Sequence, residues 1–89
     1  MKTLEIYVSG RVQGVSYRFN TVKKANLYNI TGSVRNLFDG RVKVIATGEE
    51  ADLDNFLEEL RRGPVLASVT KIIVNEIPLE EYETFRIVY

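Results

Sequence analysis

Gly10-Arg11-Val12-Gln13-Gly14-Val15-Ser16-Tyr17-Arg18 is the stretch whose residue types could do chemistry. Gly10 and Gly14 bracket a turn in which the backbone can take positive φ and come close to a ligand. Successive N–H groups of Gln13, Gly14, Val15, Ser16, Tyr17 and Arg18 could then face inward as an anion nest. Arg18, at the start of a helix-like run, offers a planar fork that fits two phosphate oxygens. Further along, Asn36 carries both an amide donor and a carbonyl acceptor, enough to hold a water beside a bound phosphoryl group. The same residues also describe a plain glycine-shaped turn with a surface cation, and an asparagine that ends a strand. This is not a Walker loop, because Gly-Lys-Ser/Thr is absent.

The residue types that are missing narrow the chemistry. The chain has no Cys and no His. Disulfide frameworks, thiol nucleophiles, the usual zinc sites, Ser-His-Asp triads and imidazole acid–base catalysis are thereby excluded. What remains is Arg, Asn, carboxylates, hydroxyls and backbone dipoles; no metal and no cofactor is expected. Lys plus Arg and Asp plus Glu each number 12, so no net field would gather nucleic acid or an anionic membrane. An anion site must be local. No segment approaches the roughly 20 apolar residues of a bilayer span, and a soluble cytoplasmic protein is the expectation. At 89 residues and 45% hydrophobic content, residues 1–89 fit one domain. Such a domain buries roughly 60 to 65% of its unfolded surface.

The elements that must position these residues follow from periodicity. Leu4, Ile6 and Val8 alternate with polar neighbours as a first strand. Phe19, Val22 and Ala25 recur at helical spacing, predicting a first helix that ends near Tyr28 or Asn29. Gly32 marks the entry to a second strand, with Val34 inward and Asn36 near its end. Asp39-Gly40 is a turn signal, and Val42, Val44 and Ala46 resume alternation, which makes a hairpin. Leu53, Phe56, Leu57 and Leu60 form the stripe of a second helix over Glu50 to Arg62, stopped by Gly63-Pro64. Val69 to Val74 reads as a fourth strand, Glu76 to Thr84 as an acidic loop, and Phe85, Ile87 and Tyr89 as a short closing strand.

This order predicts an α+β, ferredoxin-like fold, with two helices packed on one face of an antiparallel sheet. A helix crossover makes strands one and two run the same way, so their C-terminal ends share one edge. Asn36 then lies near the glycine loop. The first helix starts at that edge and directs its unpaired N–H groups and positive dipole end toward the loop.

The two stretches resemble a known family. Gly10 to Arg18 closely resembles the acylphosphatase signature Gly-x-Val-Gln-Gly-Val-x-Phe/Tyr-Arg, and Gly32-Ser33-Val34-Arg35-Asn36, followed by Gly40, Val42 and Gly48, resembles the second signature. The likeness continues through Arg62-Gly63-Pro64 to Phe85-Arg86-Ile87-Val88-Tyr89 and covers essentially the whole chain. It implies a metal-free hydrolase of acyl phosphates that forms no covalent enzyme intermediate; a monomer is the separate expectation, with the terminal strands offering a pairing edge. By motif position Arg18 is similar to the family's phosphate-binding arginine, and Asn36 to its water-positioning asparagine. A small acyl phosphate is the implied partner, with no nucleic acid and no membrane. Three positions depart from the pattern: Ser33 replaces an aromatic, Leu37 a frequent hydroxyl, and Phe38 the proline of many bacterial members. Ser33 has opposite parity to Val34, which predicts a lost surface contact rather than a lost core residue.

Two rival readings stay distinct. A module that holds a phosphorylated ligand without turnover would use the same cradle. An RNA-binding domain of this strand order would need stacking aromatics, which Arg41-Val42-Lys43-Val44-Ile45-Ala46 lacks. Arg11, Arg35 and Arg41 should lie near the same sheet edge, where a surface role is the plain one and attraction of a dianion the functional one. Glu49-Glu50, Glu58-Glu59 and Glu80-Glu81 read as solvated charges, and Tyr7, Tyr28, Tyr82 and Tyr89 as packing or surface residues.

Overall fold

Alternating burial organises the sheet. The computed structural model describes residues 1–89 and contains β1 (Lys2–Arg11), α1 (Tyr17–Leu27), β2 (Thr31–Asn36), β3 (Val42–Gly48), α2 (Glu50–Arg62), β4 (Ser68–Ile77) and β5 (Phe85–Ile87). Leu4, Ile6 and Val8 of β1 sit opposite Ala46, Val44 and Val42 of β3, and all six are buried. Their sequence neighbours Glu5 and Tyr7 face the other way, toward the side that carries no helix. The sheet order is β4-β1-β3-β2-β5. Because β1 and β2 each run antiparallel to β3, they run parallel to one another, and Arg11 and Asn36 end at the same edge as expected.

Both helices pack on one face, where a single apolar cluster gathers residues from every element except β4. α2 is amphipathic as predicted and buries Leu53, Phe56 and Leu60. Phe56 meets Phe85 edge to face with ring centroids 5.9 Å apart. Burying a side chain of that size stabilises the fold by about 2–3 kcal/mol. Glu50 and Asp52 lie in its first turn and Arg61 and Arg62 in its last, each favourable to the helix dipole. α1 ends in a left-handed Asn29, φ 58°, and the Ile30 N–H reaches back to the Ala25 carbonyl at 2.8 Å. This closing motif satisfies an orphan carbonyl and seats Ile30 in the core.

Four features differ from the sequence expectations. The sheet is mixed, not wholly antiparallel, because β5 pairs in parallel with β2. A loop from β4 brings the chain back alongside β2 in the same direction, a return no local pattern signals. β4 runs to Ile77, into the stretch read as an acidic loop, because pairing with β1 continues from Arg11 opposite Ser68 to Thr3 opposite Ile77. β5 stops at Ile87, so Tyr89 lies beyond it. Finally, α1 buries Tyr17, Thr21 and Ala25, while Phe19 is 71% exposed. A polar Thr21 can occupy the inner stripe because its hydroxyl donates to the Tyr17 carbonyl at 2.8 Å.

Candidate active site

β1 continues through Gly10 to Arg11, so the connecting loop is shorter than the motif, spanning residues 12 to 16. The register slips between Ser9 and Gly10, where Gly10 takes φ 124° against the Ser68 backbone of β4. A methyl group at Gly10 would overlap the Ser68 carbonyl oxygen. This bulge bends the strand end and launches the loop. Gly14 has φ 73° and Ser16 φ 62°. A serine held in the left-handed region costs of order 1 kcal/mol, a strain found disproportionately at ligand-binding turns.

The loop leaves its donors free. No main-chain or side-chain bond outside the regular elements engages the N–H of Gln13, Gly14, Val15 or Ser16. Those of Tyr17, Arg18 and Phe19 occupy the first turn of α1, where the helix supplies no carbonyl to accept them. No acidic residue lies in that first turn, so the positive end of the helix dipole is not offset locally. Seven successive donors beside a cation form a concentrated positive potential in a chain of zero net charge.

Individual side chains of the motif have separate tasks. Val15 is buried and anchors the loop. Tyr17 is buried at 2% exposure, and its hydroxyl donates to the Leu60 carbonyl at 2.8 Å, tying α1 to α2. Burial pushes the pKa of that phenol up. Its side chain therefore belongs to the core, and only its N–H is available to a ligand. The Gln13 side chain, of which the sequence reading used only the main-chain N–H, donates from Nε2 to the Leu37 carbonyl at 2.8 Å and to the Arg41 carbonyl at 2.9 Å. The loop is thus stitched to the β2–β3 turn directly after Asn36. The sequence offered no signal for this brace, because the acceptors are main-chain atoms on another element.

Arg18 and Asn36 are brought together. Both line a hollow of about 350 Å³ with Arg35, Leu37, Phe38, Val88 and Tyr89. Arg18 also borders a smaller recess of about 150 Å³ that includes Gly14 and Ser16. It forms no ion pair, and its guanidinium lies 5.3 Å from the centroid of the Tyr89 ring. Asn36 Oδ1 is the one buried side-chain oxygen or nitrogen without a hydrogen-bond partner. Leaving such an acceptor unpaired costs about 1–3 kcal/mol.

Of the other arginines, Arg35 joins the hollow, and its Nη2 donates to the Tyr89 carbonyl at 3.4 Å. Arg41 is held by Asp39 at 2.9 Å and lies over the Tyr7 ring, while Arg11 is paired in register with Ser68. Ser33 lies on the helix-free side of the sheet, as its parity predicts, in a separate hollow of about 410 Å³ with Tyr82 and Arg86. That larger hollow contains neither Arg18 nor Asn36.

The fold and this constellation describe a small ferredoxin-like protein with a glycine loop of unengaged N–H groups and an asparagine at one edge of the sheet. The chain belongs to the acylphosphatase family, whose profile matches residues 4–87. An acylphosphatase of Archaeoglobus fulgidus is 48% identical over the full length of both chains. Among solved structures, acylphosphatase from Bacillus subtilis superposes with a TM-score of 0.97 at 40% identity, covering all of both chains. That from Coxiella burnetii superposes with a TM-score of 0.94 at 38% identity, covering 98% of this chain and 92% of the other. No helix is long and apolar enough to cross a membrane.

Proposed function

We propose that the protein hydrolyses the carboxyl–phosphate bond of acyl phosphates to a carboxylate and inorganic phosphate. In this reading Arg18 and the N–H groups of Gln13, Gly14, Val15, Ser16 and Tyr17 hold the phosphoryl oxygens. Asn36 Oδ1 accepts an O–H of the attacking water and aims its lone pair at phosphorus, opposite the acyl oxygen. The P–O bond to the acyl group breaks as the water oxygen bonds to phosphorus, and the carboxylate departs with the electron pair. One water proton passes to a phosphoryl oxygen. A carboxylate is a weak enough base to leave unprotonated, so the chemistry needs no general acid, which suits a chain without His. The protein contributes positioning and a fixed positive field.

The observation that carries this reading is the shared hollow, where an uncompensated guanidinium lies with an orphaned Asn36 acceptor. The test is hydrolysis of a small acyl phosphate with chelator present, by wild type, Arg18→Ala and Asn36→Ala. Losing one preorganised group typically lowers the rate on the order of 10² to 10³. Turnover unchanged in both variants would sink the mechanism. Protection of the melting temperature by phosphate, with no hydrolysis, would favour a binding module instead.

A further inference from the structure

We propose that the protein self-associates through the free edge of β4, two copies pairing antiparallel about Ile73 into one continuous sheet. The two rims of the sheet differ. β5 forms one of them with 3 residues in parallel with β2, too short to recruit a further strand. β4 forms the other with 10 residues and pairs only with β1, so its outward N–H and C=O groups have no main-chain partner. Such a rim is usually blunted by Pro, by inward charges or by bulges. β4 contains no Pro, and its bulge falls at Thr70, between Lys71 opposite Ser9 and Val69 opposite Gly10. From Lys71 to Ile77 the edge runs unbroken.

Exposed apolar side chains collect along this rim. Ile73 and Val74 are exposed within the strand, Val65 and Leu66 just before it, and Leu79 just after it. None of them lines the hollow beside Arg18 and Asn36. A run of apolar surface on an open strand edge marks a pairing surface.

The residue pattern selects a second copy of this chain as the partner. Thr70-Lys71-Ile72-Ile73-Val74-Asn75-Glu76 reads polar, polar, apolar, apolar, apolar, polar, polar in either direction. With Ile73 on a two-fold axis normal to the sheet, Ile73 meets Ile73, Ile72 meets Val74, and Lys71 meets Asn75. Directly opposed residues of an antiparallel pair must share a face, and this register meets that condition. Ile72 and Val74 lie on the helix side, opposite Val8 and Ile6 of β1, while Lys71, Ile73 and Asn75 lie on the other, opposite Ser9, Tyr7 and Glu5. Moving the axis to Ile72 sets Lys71 against Ile73, and moving it to Val74 sets Ile73 against Asn75. The same two-fold carries Leu79 of one copy toward Leu66 of the other.

Charge fits this register as well. Neither Lys71 nor Glu76 has an ion-pair partner within the chain. In the pair, Lys71 stands beside Asn75 of the second copy, with Glu5 next in the same row. Glu76 meets the hydroxyl of Thr70. No like charges are opposed.

The paired stretch is short, so the association belongs to the weak class, and sedimentation equilibrium is run up to about 1 mM chain. It compares wild type, Ile73→Lys, Ile73→Glu and an equimolar mixture of the two variants. Wild type is expected to pass from monomer to dimer across the range. Each variant alone opposes like charges on the axis and is expected to dimerise at least about tenfold more weakly, whereas the mixture sets Lys against Glu and regains the dimer. Ile73 is an exposed position, so both variants keep the core intact, which melting curves in dilute solution verify. A wild type that stays monomeric at about 1 mM, or variants that dimerise like wild type, overturns the proposal. A mixture that fails to regain what each variant loses overturns the two-fold at Ile73. Growth beyond the dimer overturns the closed pair, since one β4 edge satisfies the other.

Discussion

Replacing Gln13 by Met keeps the length of the side chain and the loop N–H while deleting both bonds to the β2–β3 turn. Those bonds, at 2.8 and 2.9 Å, end on the Leu37 and Arg41 carbonyls. Each contributes about 0.5–1.5 kcal/mol net. Both are only part-buried, so water can re-enter and bond the released carbonyls, which puts the combined loss near 1–2 kcal/mol. For a domain of this size, 1 kcal/mol moves the melting temperature by about 4–8 °C, so a fall of about 5–15 °C is expected in a thermal scan. The larger effect belongs to turnover. Gln13 couples the loop that would hold phosphate to the turn that follows Asn36, and a shift of about 1 Å between reacting groups can cost on the order of 10² in rate. Hydrolysis of benzoyl phosphate should therefore drop in kcat far more than phosphate affinity drops, because the N–H groups remain. A Gln13→Met variant with wild-type kcat and a lowered melting temperature would show that the brace stabilises without positioning Asn36. Unchanged values of both would refute the brace altogether.

Other outcomes follow from the same contacts. Gly10→Ala combines a backbone overlap with Ser68 and a φ of 124°, neither relieved by a side-chain rotation. A loss of about 3–5 kcal/mol is expected, read as a melting temperature lowered by more than about 15 °C; a change under about 3 °C would contradict the bulge. Tyr17 keeps its proton when folded to a higher pH than when unfolded, because burial disfavours the phenolate. Above about pH 10 the unfolded chain binds fewer protons at this residue than the folded one, so stability falls as pH rises, by up to about 1.4 kcal/mol per unit. Denaturant titrations across that range should show a shallower decline in Tyr17→Phe, and equal slopes in the two proteins would remove Tyr17 as the cause.

The period-two runs and helical stripes are local properties, and they were sufficient to locate all seven elements, with the bounds of β4 and β5 differing, and to bring Asn36 to the edge where the loop lies. The rule that a helix crossover joins co-directional strands did that work, and it needs only element order. The glycines at positions 10 and 14 likewise declare their positive φ in their residue type. Other properties depend on atoms distant in the chain. Tyr17 and Ser16 are neighbours in one motif, yet one ring is core and the other side chain is exposed, because the phase of α1 is set by packing on α2 and the sheet. Gln13 became a brace because its amide reaches two carbonyls on another element. The sequence by itself determined the fold type, the motif and the identities of Arg18 and Asn36. Only the tertiary structure decided the parallel pairing of β5, the unpaired Asn36 oxygen, the unengaged Arg18 and the exposed ring of Phe38. The physical reason is that burial and hydrogen-bond satisfaction are properties of surroundings, and those surroundings come together only when strands far apart in sequence pair.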